Sequence, residues 1–257
     1  MSEDLSPYLG RWPYDPDQTV RTIRGDDGRR KLQVRLPLGV EQYDLDGRPD
    51  GLRPHGFPSL LAYWERRHRL YGRRHGSDRG FTISPDECER LREESLLYYY
   101  RYVLLFQIGE YGRAARDTAR NLRCLDLVGE YGASAADRMS QEQYRPYILR
   151  MYRASRALLA MKRHQHEIAL REIQAGLEAI ENLVPQDTMG FRFEKKRSVQ
   201  FLRQLRREIL RKKPPSLRER LGRRLKRAVE MEQYELAARL RDKLAGLGAQ
   251  PGPEDLP

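Results

Sequence analysis

The sequence is poor in cysteine and contains no long run of apolar residues. Its 257 residues include only 2 cysteines, Cys88 and Cys124, which argues against a disulfide scaffold and fits a reducing cytoplasm. The longest apolar stretch, 96–108, is interrupted by Arg101 and is too short to span a bilayer. The opening residues are acidic and lack the apolar core of a signal peptide. We therefore expect a cytoplasmic protein with no membrane partner.

The common catalytic and cofactor-binding motifs are also missing. The sequence has no glycine-rich phosphate loop, no G-x-G-x-x-G turn and no C-x-x-C pair, which argues against nucleotide cofactors and zinc modules. On a helix, His164 and His166 would point to opposite sides and could not share a metal ion. Cys88 lies in the first turn of a predicted helix, where its pKa is expected to be lowered, but it has no evident His or Asn partner. We expect no catalytic residue, no metal and no cofactor, and hence a protein that is not an enzyme.

One loop, 46–56, is dense in polar and turn residues. Turn formation alone explains its composition, and an enzyme that uses this loop is kept as a minor alternative. Its polar set is Asp46, Arg48, Asp50 and His55. A second acidic group is interpreted as the solvated first turns of a helix, and consists of Glu87, Glu89, Glu93 and Glu94.

Positive charge is concentrated towards the end of the sequence. The net charge is +12, and the segment from Lys195 to Lys243 holds 18 Lys and Arg against 6 Asp and Glu, so this segment accounts for the whole excess. It fits contact with nucleic-acid phosphates, an acidic protein partner or a solvated face. In the first case the nucleic-acid-binding residues would be Lys195, Lys196, Arg197, Arg203, Arg206, Arg207, Arg211, Lys212, Lys213, Arg223, Arg224, Lys226 and Arg227.

Residues 1–58 predict an extended segment followed by a small sheet. Residues 1–18 are rich in Pro, Tyr and Asp and are expected to be extended chain pinned by Trp12. Polar and apolar residues alternate in two stretches, 19–24 and 31–36, which flank a Gly/Asp turn. This pattern predicts a β-hairpin, to which 40–45 adds a third strand. Because a meander leaves one face uncovered, we expect it to pack on the helices that follow.

Residues 59–190 predict a helical domain. Ser59 begins a helix that ends near Gly72, and Ser84 precedes a long helix from Pro85 to about Ile108. A further helix and loop are expected around 132–143, with a weak capping box formed by residues 140 and 143.

The turn Gly109-Glu110-Tyr111 and a second copy that starts at His164 resemble the tetratricopeptide repeat (TPR). In that repeat a small residue packs where two helices cross, and Ala114 and Ala169 would be those residues. The copies lie 55 residues apart instead of the regular 34, and His164 stands where the turn glycine is expected. A plain helical bundle is the alternative.

Tyrosines crowd the middle of the chain, at positions 98–100, 102, 111, 144, 147 and 152. Three consecutive tyrosines on a helix cannot all face inward, so one or two are expected to line a groove or contact the β unit. A TPR-like concave face lined with Tyr and Arg fits an extended peptide.

The segment 214–248 predicts a hairpin of two helices. Apolar residues recur at spacings of three and four on both sides of an interruption at 230–234, which contains no Gly or Pro. Pro214 and Pro215 end the preceding basic helix, and Ser216 is the expected N-cap. Two short helices are unstable alone, so the hairpin is expected to pair with its own chain, a second copy or a partner. The predicted contact residues are Leu221, Leu225, Val229, Tyr234, Leu240, Arg241, Asp242 and Leu244.

The pattern A-V-E-x-E-x-Y-E-x-A-A-x-L-R-D-x-L-x-x-L, from Ala228 to Leu247, resembles the UVR motif, a helical hairpin shared by UvrB and UvrC. The resemblance implies a protein–protein contact element, whose partner would be an excision-repair component, a second copy of the chain or a chaperone–protease. It also implies a bacterial protein. Arg241 and Asp242 would fix the geometry through salt bridges or caps.

Together these features predict a mainly α protein with a TPR-like helical bundle, a small N-terminal β meander and a C-terminal UVR-type hairpin. The predicted parts are 1–58, 59–190, a basic helix and linker at 191–213, the hairpin at 214–248 and a disordered tail at 249–257. The favoured function is a non-enzymatic adaptor that docks a protein through the hairpin. Nucleic-acid binding through 195–227 is the first alternative, and a role as adaptor of a protease–chaperone system is the second.

Overall fold

The computed structural model describes residues 4–215 and 217–248. The predicted N-cap Ser216 and the predicted tail 249–257 lie outside the described residues. The chain divides into two compact units, one up to Ile209 and one from Leu210. In the described ranges, no helix is both long enough and apolar enough to cross a membrane.

The structure is mainly helical, with a small sheet near the N-terminus and a pair of helices near the C-terminus, as predicted. The described elements are α1 Ser6–Arg11, β1 Val20–Arg24, β2 Arg30–Leu36, β3 Gly39–Asp44, α2 Leu60–His75, α3 Pro85–Gln107, α4 Tyr111–Tyr131, α5 Ala135–Met139, α6 Arg145–Lys162, α7 His166–Glu181, α8 Met189–Lys212, α9 Leu217–Glu230 and α10 Tyr234–Gly248.

The three strands form an antiparallel meander in the order β1-β2-β3. Leu32 pairs with Tyr43 across β2 and β3, and both side chains are buried. They join Tyr102 and Leu105 of α3 in one apolar cluster, so one face of the sheet is covered by the helical region. The packing predicted for the meander is therefore confirmed.

The first residues differ from the prediction of extended chain. Ser6–Arg11 forms a short helix because a proline occupies its first turn and the Asp4 carboxylate accepts a hydrogen bond from Ser6 N at 2.8 Å. Trp12 was expected to pin this segment, and it does contact the sheet. Its carbonyl accepts from Arg35 Nε at 2.7 Å, and its ring lies 3.8 Å below the guanidinium of Arg21.

Helix α2 begins as predicted but extends beyond Gly72. Ser59 Oγ accepts a hydrogen bond from Ala62 N at 3.1 Å, which caps the helix. The helix continues to His75 and stops at Gly76, whose φ of 72° is the left-handed conformation of a helix C-cap. Gly72 lies inside the helix, and a Cβ there would meet open space.

Ser84 holds the N-cap position of α3 without a capping hydrogen bond, and the capping box predicted at residues 140 and 143 is wrong. The proline at the first turn therefore marks the start of α3. The capping box lies six residues before Ser140: Ser134 Oγ accepts from Asp137 N at 3.0 Å, and the Asp137 carboxylate accepts from Ser134 N at 3.1 Å.

The glutamate predicted to be solvated at position 94 is instead 1% exposed. Its carboxylate accepts hydrogen bonds from Leu60 N at 2.7 Å and Leu61 N at 3.2 Å, at the N-terminus of α2. It also pairs with Arg120 of α4. Glu94 therefore satisfies free N–H groups of α2 and joins α2, α3 and α4 through a buried charge.

In three helical hairpins of the chain, the two helices are joined by the same kind of turn. The left-handed residue is Gly109 between α3 and α4, His164 between α6 and α7, and Glu232 between α9 and α10, with φ of 76°, 58° and 57°. In each turn the next amide donates to the carbonyl five residues earlier, at 2.8 to 2.9 Å. This is the Schellman arrangement, which normally favours glycine.

Each turn is followed, at the same distance, by a buried alanine. Ala114, Ala169 and Ala237 each lie five residues after the left-handed position, and all three are buried. The close packing predicted for Ala114 and Ala169 is therefore present. The resemblance to the tetratricopeptide repeat stays a prediction, since it concerns a family and not only a turn.

Candidate docking sites

The hairpin of α9 and α10 forms its own small apolar seam. Leu221 and Ala228 of α9 meet Ala237 and Leu240 of α10, and all four are buried. The partly buried Leu225 and Leu244 pack against this cluster. Four of the predicted contact residues, Leu221, Leu225, Leu240 and Leu244, therefore hold the two helices to each other.

Three of the exposed apolar side chains outside the seam lie at or next to the turn, whereas Leu217 and Leu236 are exposed on α9 and α10. Val229 is 53% exposed, Met231 68% and Tyr234 69%. Val229 and Tyr234 were predicted contact residues, whereas Met231 was not, because it falls in the interruption between the two apolar runs. We call Val229, Met231 and Tyr234 the hairpin tip.

The predicted pair Arg241 and Asp242 lies away from the seam. Arg241 Nη2 is 3.1 Å from Asp242 Oδ1, and both side chains are exposed. An exposed pair of neighbours contributes little to stability. These two residues therefore do not fix the hairpin geometry among the described contacts.

The basic side chains of α8 and α9 differ in how far they are neutralised. Lys195 donates to the Glu181 carbonyl at 2.9 Å, Arg203 lies 3.3 Å from the Glu181 carboxylate, and Arg197 lies 3.7 Å from Glu194. Lys226 lies 3.9 Å from Glu230. Within the described ranges, no carboxylate lies within salt-bridge distance of Lys196, Arg206, Arg207, Arg211, Lys212, Arg223, Arg224 and Arg227.

The polar residues of the 46–56 loop take part in separate contacts. Arg116 Nη1 donates to Asp46 at 2.6 Å, and this bond lowers the pKa of the Asp46 carboxyl. Arg48 lies 3.1 Å from Asp50, while His55 stacks on the ring of Tyr63 at 4.2 Å. The loop is thus tied to neighbouring helices at several points.

The expectation of a lowered pKa at Cys88 is wrong. Its side chain is packed in the apolar cluster with Trp64 and Leu91, and burial raises the pKa of the thiol to about 11. His164 and His166 also differ from the assumed helix, since His164 lies in the turn before α7. In the part of the chain that the structure describes, no group of three His, Cys, Asp or Glu side chains is placed to hold a metal ion.

A groove of about 410 Å³ lies in the helical unit, between α3, α4, α6 and α8. We call it the tyrosine groove, since Tyr99, Tyr102, Tyr144 and Tyr147 line it. The prediction for the tyrosine run is confirmed: Tyr98 is buried, Tyr99 faces the groove and Tyr100 is exposed. Tyr102 contributes to both the groove and the cluster that covers the sheet.

Two polar side chains of the groove lining come from the turn before α6 and from α8. Gln141, which precedes α6, is 6% exposed, and its Nε2 has no hydrogen-bond partner among the described residues. Glu194 Oε2 of α8 is likewise buried and without a partner there. Sequence reasoning missed these two atoms, because Gln141 falls in an irregular connection that no periodic pattern marks.

Comparisons with known proteins give one result for the hairpin and none for the rest. The search of curated proteins and the search of solved structures found no match. The family described as UvrB/uvrC motif (UVR) matches residues 216–250. This segment contains α9 and α10, so the chain carries a UVR motif folded as a two-helix hairpin.

Proposed function

We propose that this protein is a non-enzymatic adaptor that docks a protein partner through its UVR hairpin. The observation that carries the proposal is the match over 216–250 together with the hairpin tip. The seam is internally satisfied, yet three large apolar side chains near the turn remain exposed. Exposed apolar residues that cluster on a surface are typical of protein interaction sites.

The hairpin tip is the docking surface in this proposal, and the seam residues support it. The seam leucines contribute to affinity by holding α9 and α10 together. Val229, Met231 and Tyr234 supply the contact area, and the partner is a helical segment with a complementary apolar face. A component of excision repair, a second copy of the chain and a chaperone–protease are the partner classes that the motif suggests.

The test is a pull-down from host lysate with the full chain and with Val229→Asp/Tyr234→Asp, each treated with nuclease. Both positions are exposed, so the variant keeps its helix content by circular dichroism. A protein that the full chain retains after nuclease treatment and the variant loses supports the proposal. Leu217→Asp is the matched control, because Leu217 is an exposed leucine at the other end of α9, about 18 Å from the tip.

Retention of the same proteins by the tip variant contradicts the proposal. Sedimentation of the purified chain separates the partner classes, since pairing with a second copy gives a dimer that the tip variant does not form. An adaptor of this kind works in the cytoplasm.

Nucleic-acid binding is the second candidate. It is favoured by the basic side chains of α8 and α9 that have no described acidic partner, of which Arg206, Arg207 and Arg211 lie on α8. If six or more of them neutralise phosphates, the affinity for a DNA duplex falls about 10³-fold or more between 50 and 200 mM salt. A nearly constant affinity over this range eliminates the candidate.

A further inference from the structure

Helix α2 carries a dense set of arginines on the side that faces solvent. Its 16 residues contain five arginines and a single carboxylate, that of Glu65. Spacings of three, four and seven residues place the arginines on adjacent rows of one side of the helix. All five are exposed, and they are Arg66, Arg67, Arg69, Arg73 and Arg74. We call them the α2 arginines.

The α2 arginines lack acidic partners, in contrast to the arginines of α4. Each of the four arginines of α4 forms an ion pair, and these are Arg113, Arg116, Arg120 and Arg123. Within the described ranges, no carboxylate lies within salt-bridge distance of an α2 arginine. The two acids of the segment 65–80 bind elsewhere, since Glu65 pairs with Arg123 at 3.1 Å and Asp78 accepts from Tyr131 Oη at 2.7 Å. The positive charge of α2 is therefore available to a ligand from outside the chain.

Two of the α2 arginines line a cavity of about 300 Å³ between α2 and the segment 80–82. Among the described residues, its lining has no Asp or Glu. It combines two guanidinium groups, one imidazole and three aromatic rings, from Arg67, Arg74, His75, Trp64, Tyr71 and Phe81. The cavity reaches the surface, because Arg74, His75 and Gly80 of its lining are exposed. The ring centroids of Tyr71 and His75 lie 4.2 Å apart, so a flat ring that enters the cavity meets aromatic rings inside and cations at the rim.

This combination of positive charge and aromatic rings fits a nucleic-acid strand. Guanidinium groups match the geometry of phosphates, and bases stack on aromatic side chains. A protein interface or a membrane surface would need exposed apolar anchors beside the charge. Leu60, Leu61 and Trp64 are instead buried in the core, and the structure, which describes all of α2, exposes no large apolar side chain there.

We propose that the α2 arginines and the adjoining cavity bind single-stranded RNA or DNA without reading its sequence. The arginines bind phosphates along the strand, and one base enters the cavity beside Tyr71 and His75. Contacts of both kinds tolerate any base, because every base has a phosphate and a flat face. This site is distinct from the basic side chains of α8 and α9, and it does not depend on docking through the hairpin tip.

The test measures the affinity of the full chain for a labelled twelve-nucleotide oligo(dT) by fluorescence anisotropy. If each α2 arginine neutralises one phosphate, the slope of log affinity against log salt is about −3.5, and affinity falls about 100-fold between 50 and 200 mM. Arg67→Gln/Arg74→Gln is expected to change the slope to about −2.1 and to weaken binding about ten-fold at 100 mM salt. Oligo(U) of the same length is expected to bind with similar affinity.

Arg24→Gln/Arg30→Gln is the matched control. It removes the same charge from two exposed arginines that are paired in register across β1 and β2. Charges far from the strand are screened at 100 mM salt, so the control is expected to change affinity by less than about two-fold. Circular dichroism verifies that both variants fold, as expected for substitutions of exposed side chains.

Two further probes test the cavity. An abasic strand of the same length keeps the phosphates, and it is expected to bind about five-fold more weakly than oligo(dT) because base stacking is lost. A duplex of the same length is also expected to bind more weakly than the single strand, since its bases are stacked on each other and cannot enter the cavity.

Four results overturn the proposal. They are no binding of oligo(dT), an unchanged salt slope for Arg67→Gln/Arg74→Gln, an equal loss from the control variant, and a duplex or abasic strand that binds as tightly as oligo(dT). The variant Val229→Asp/Tyr234→Asp retains full affinity for oligo(dT). Failure of this proposal is thereby distinguished from failure of hairpin docking.

Discussion

Replacing Glu94 by glutamine tests the buried charge that joins three helices of the larger unit. The carboxylate accepts two backbone N–H groups of α2 at 2.7 and 3.2 Å and pairs with the buried guanidinium of Arg120. A glutamine amide has one oxygen instead of two. Its NH₂ group is a hydrogen-bond donor, and it would face either a backbone N–H group of α2 or the guanidinium of Arg120. Since these groups are donors too, no hydrogen bond can form there.

The expected loss of stability follows from those contacts. Breaking a buried ion pair by removing one charge costs about 3–5 kcal/mol, because the remaining charge stays buried. Since the substituted amide keeps one hydrogen bond to the backbone, we expect Glu94→Gln to lower the free energy of unfolding by about 3 kcal/mol, at the low end of that range. For a unit of this size, that corresponds to a fall in Tm of about 6–12 °C.

Urea unfolding followed by circular dichroism measures this loss. Glu93→Gln is the matched control, since Glu93 is the exposed neighbour on the same helix, and it is expected to change stability by less than about 0.5 kcal/mol. If Glu94→Gln and Glu93→Gln unfold at the same urea concentration, Glu94 does not hold these helices together and the reasoning is refuted.

Other predictions concern a turn, a thiol and a surface carboxylate. Glu232→Gly relieves a left-handed non-glycine residue, so it is expected to raise the stability of the hairpin by up to about 1 kcal/mol in thermal unfolding; a loss would contradict the turn geometry. The raised pKa and burial of Cys88 predict slow labelling by a thiol reagent at pH 8 in the native state and rapid labelling in urea; fast native labelling would contradict this. Because the bond from Arg116 lowers the pKa of Asp46 in the folded state, its contribution is present above about pH 4 and is lost as pH falls through the folded pKa. Asp46→Asn is therefore expected to cost less than about 1 kcal/mol at pH 7 and a smaller amount at pH 2, in urea titrations at both values; an equal cost at both pH values would contradict the assignment.

Local signals in the sequence predicted most of the elements. The Gly/Asp turn between alternating stretches predicted the β-hairpin, and the proline at position 85 predicted the start of α3, because both act through neighbouring residues. The periodic leucines of 217–247 predicted the hairpin and its seam. The motif match over 216–250 rests on the same residues.

What the sequence did not reveal depends on contacts between distant residues. In the sequence, Glu94 has the pattern of a solvated helix residue. Its burial depends on Leu60 of α2, 34 residues earlier, and on Arg120 of α4, 26 residues later. The raised pKa of Cys88 likewise follows from burial and not from its position at a helix start. The tyrosine groove combines residues from 92 to 197, so its lining could not be assembled from the sequence. The division between seam and tip also required the helices to be placed, because spacing alone put Val229 and Leu225 on one face.

Docking through the hairpin tip is tested most directly by a photocrosslinker placed at position 234. The chain, with Tyr234 replaced by p-benzoyl-phenylalanine, is expressed in its host and irradiated, and the same residue at exposed position 8 is the control. We expect a discrete protein adduct from position 234 that position 8 does not give, with a protein partner or a second copy of the chain. No adduct from position 234, or the same adducts from both positions, would contradict it.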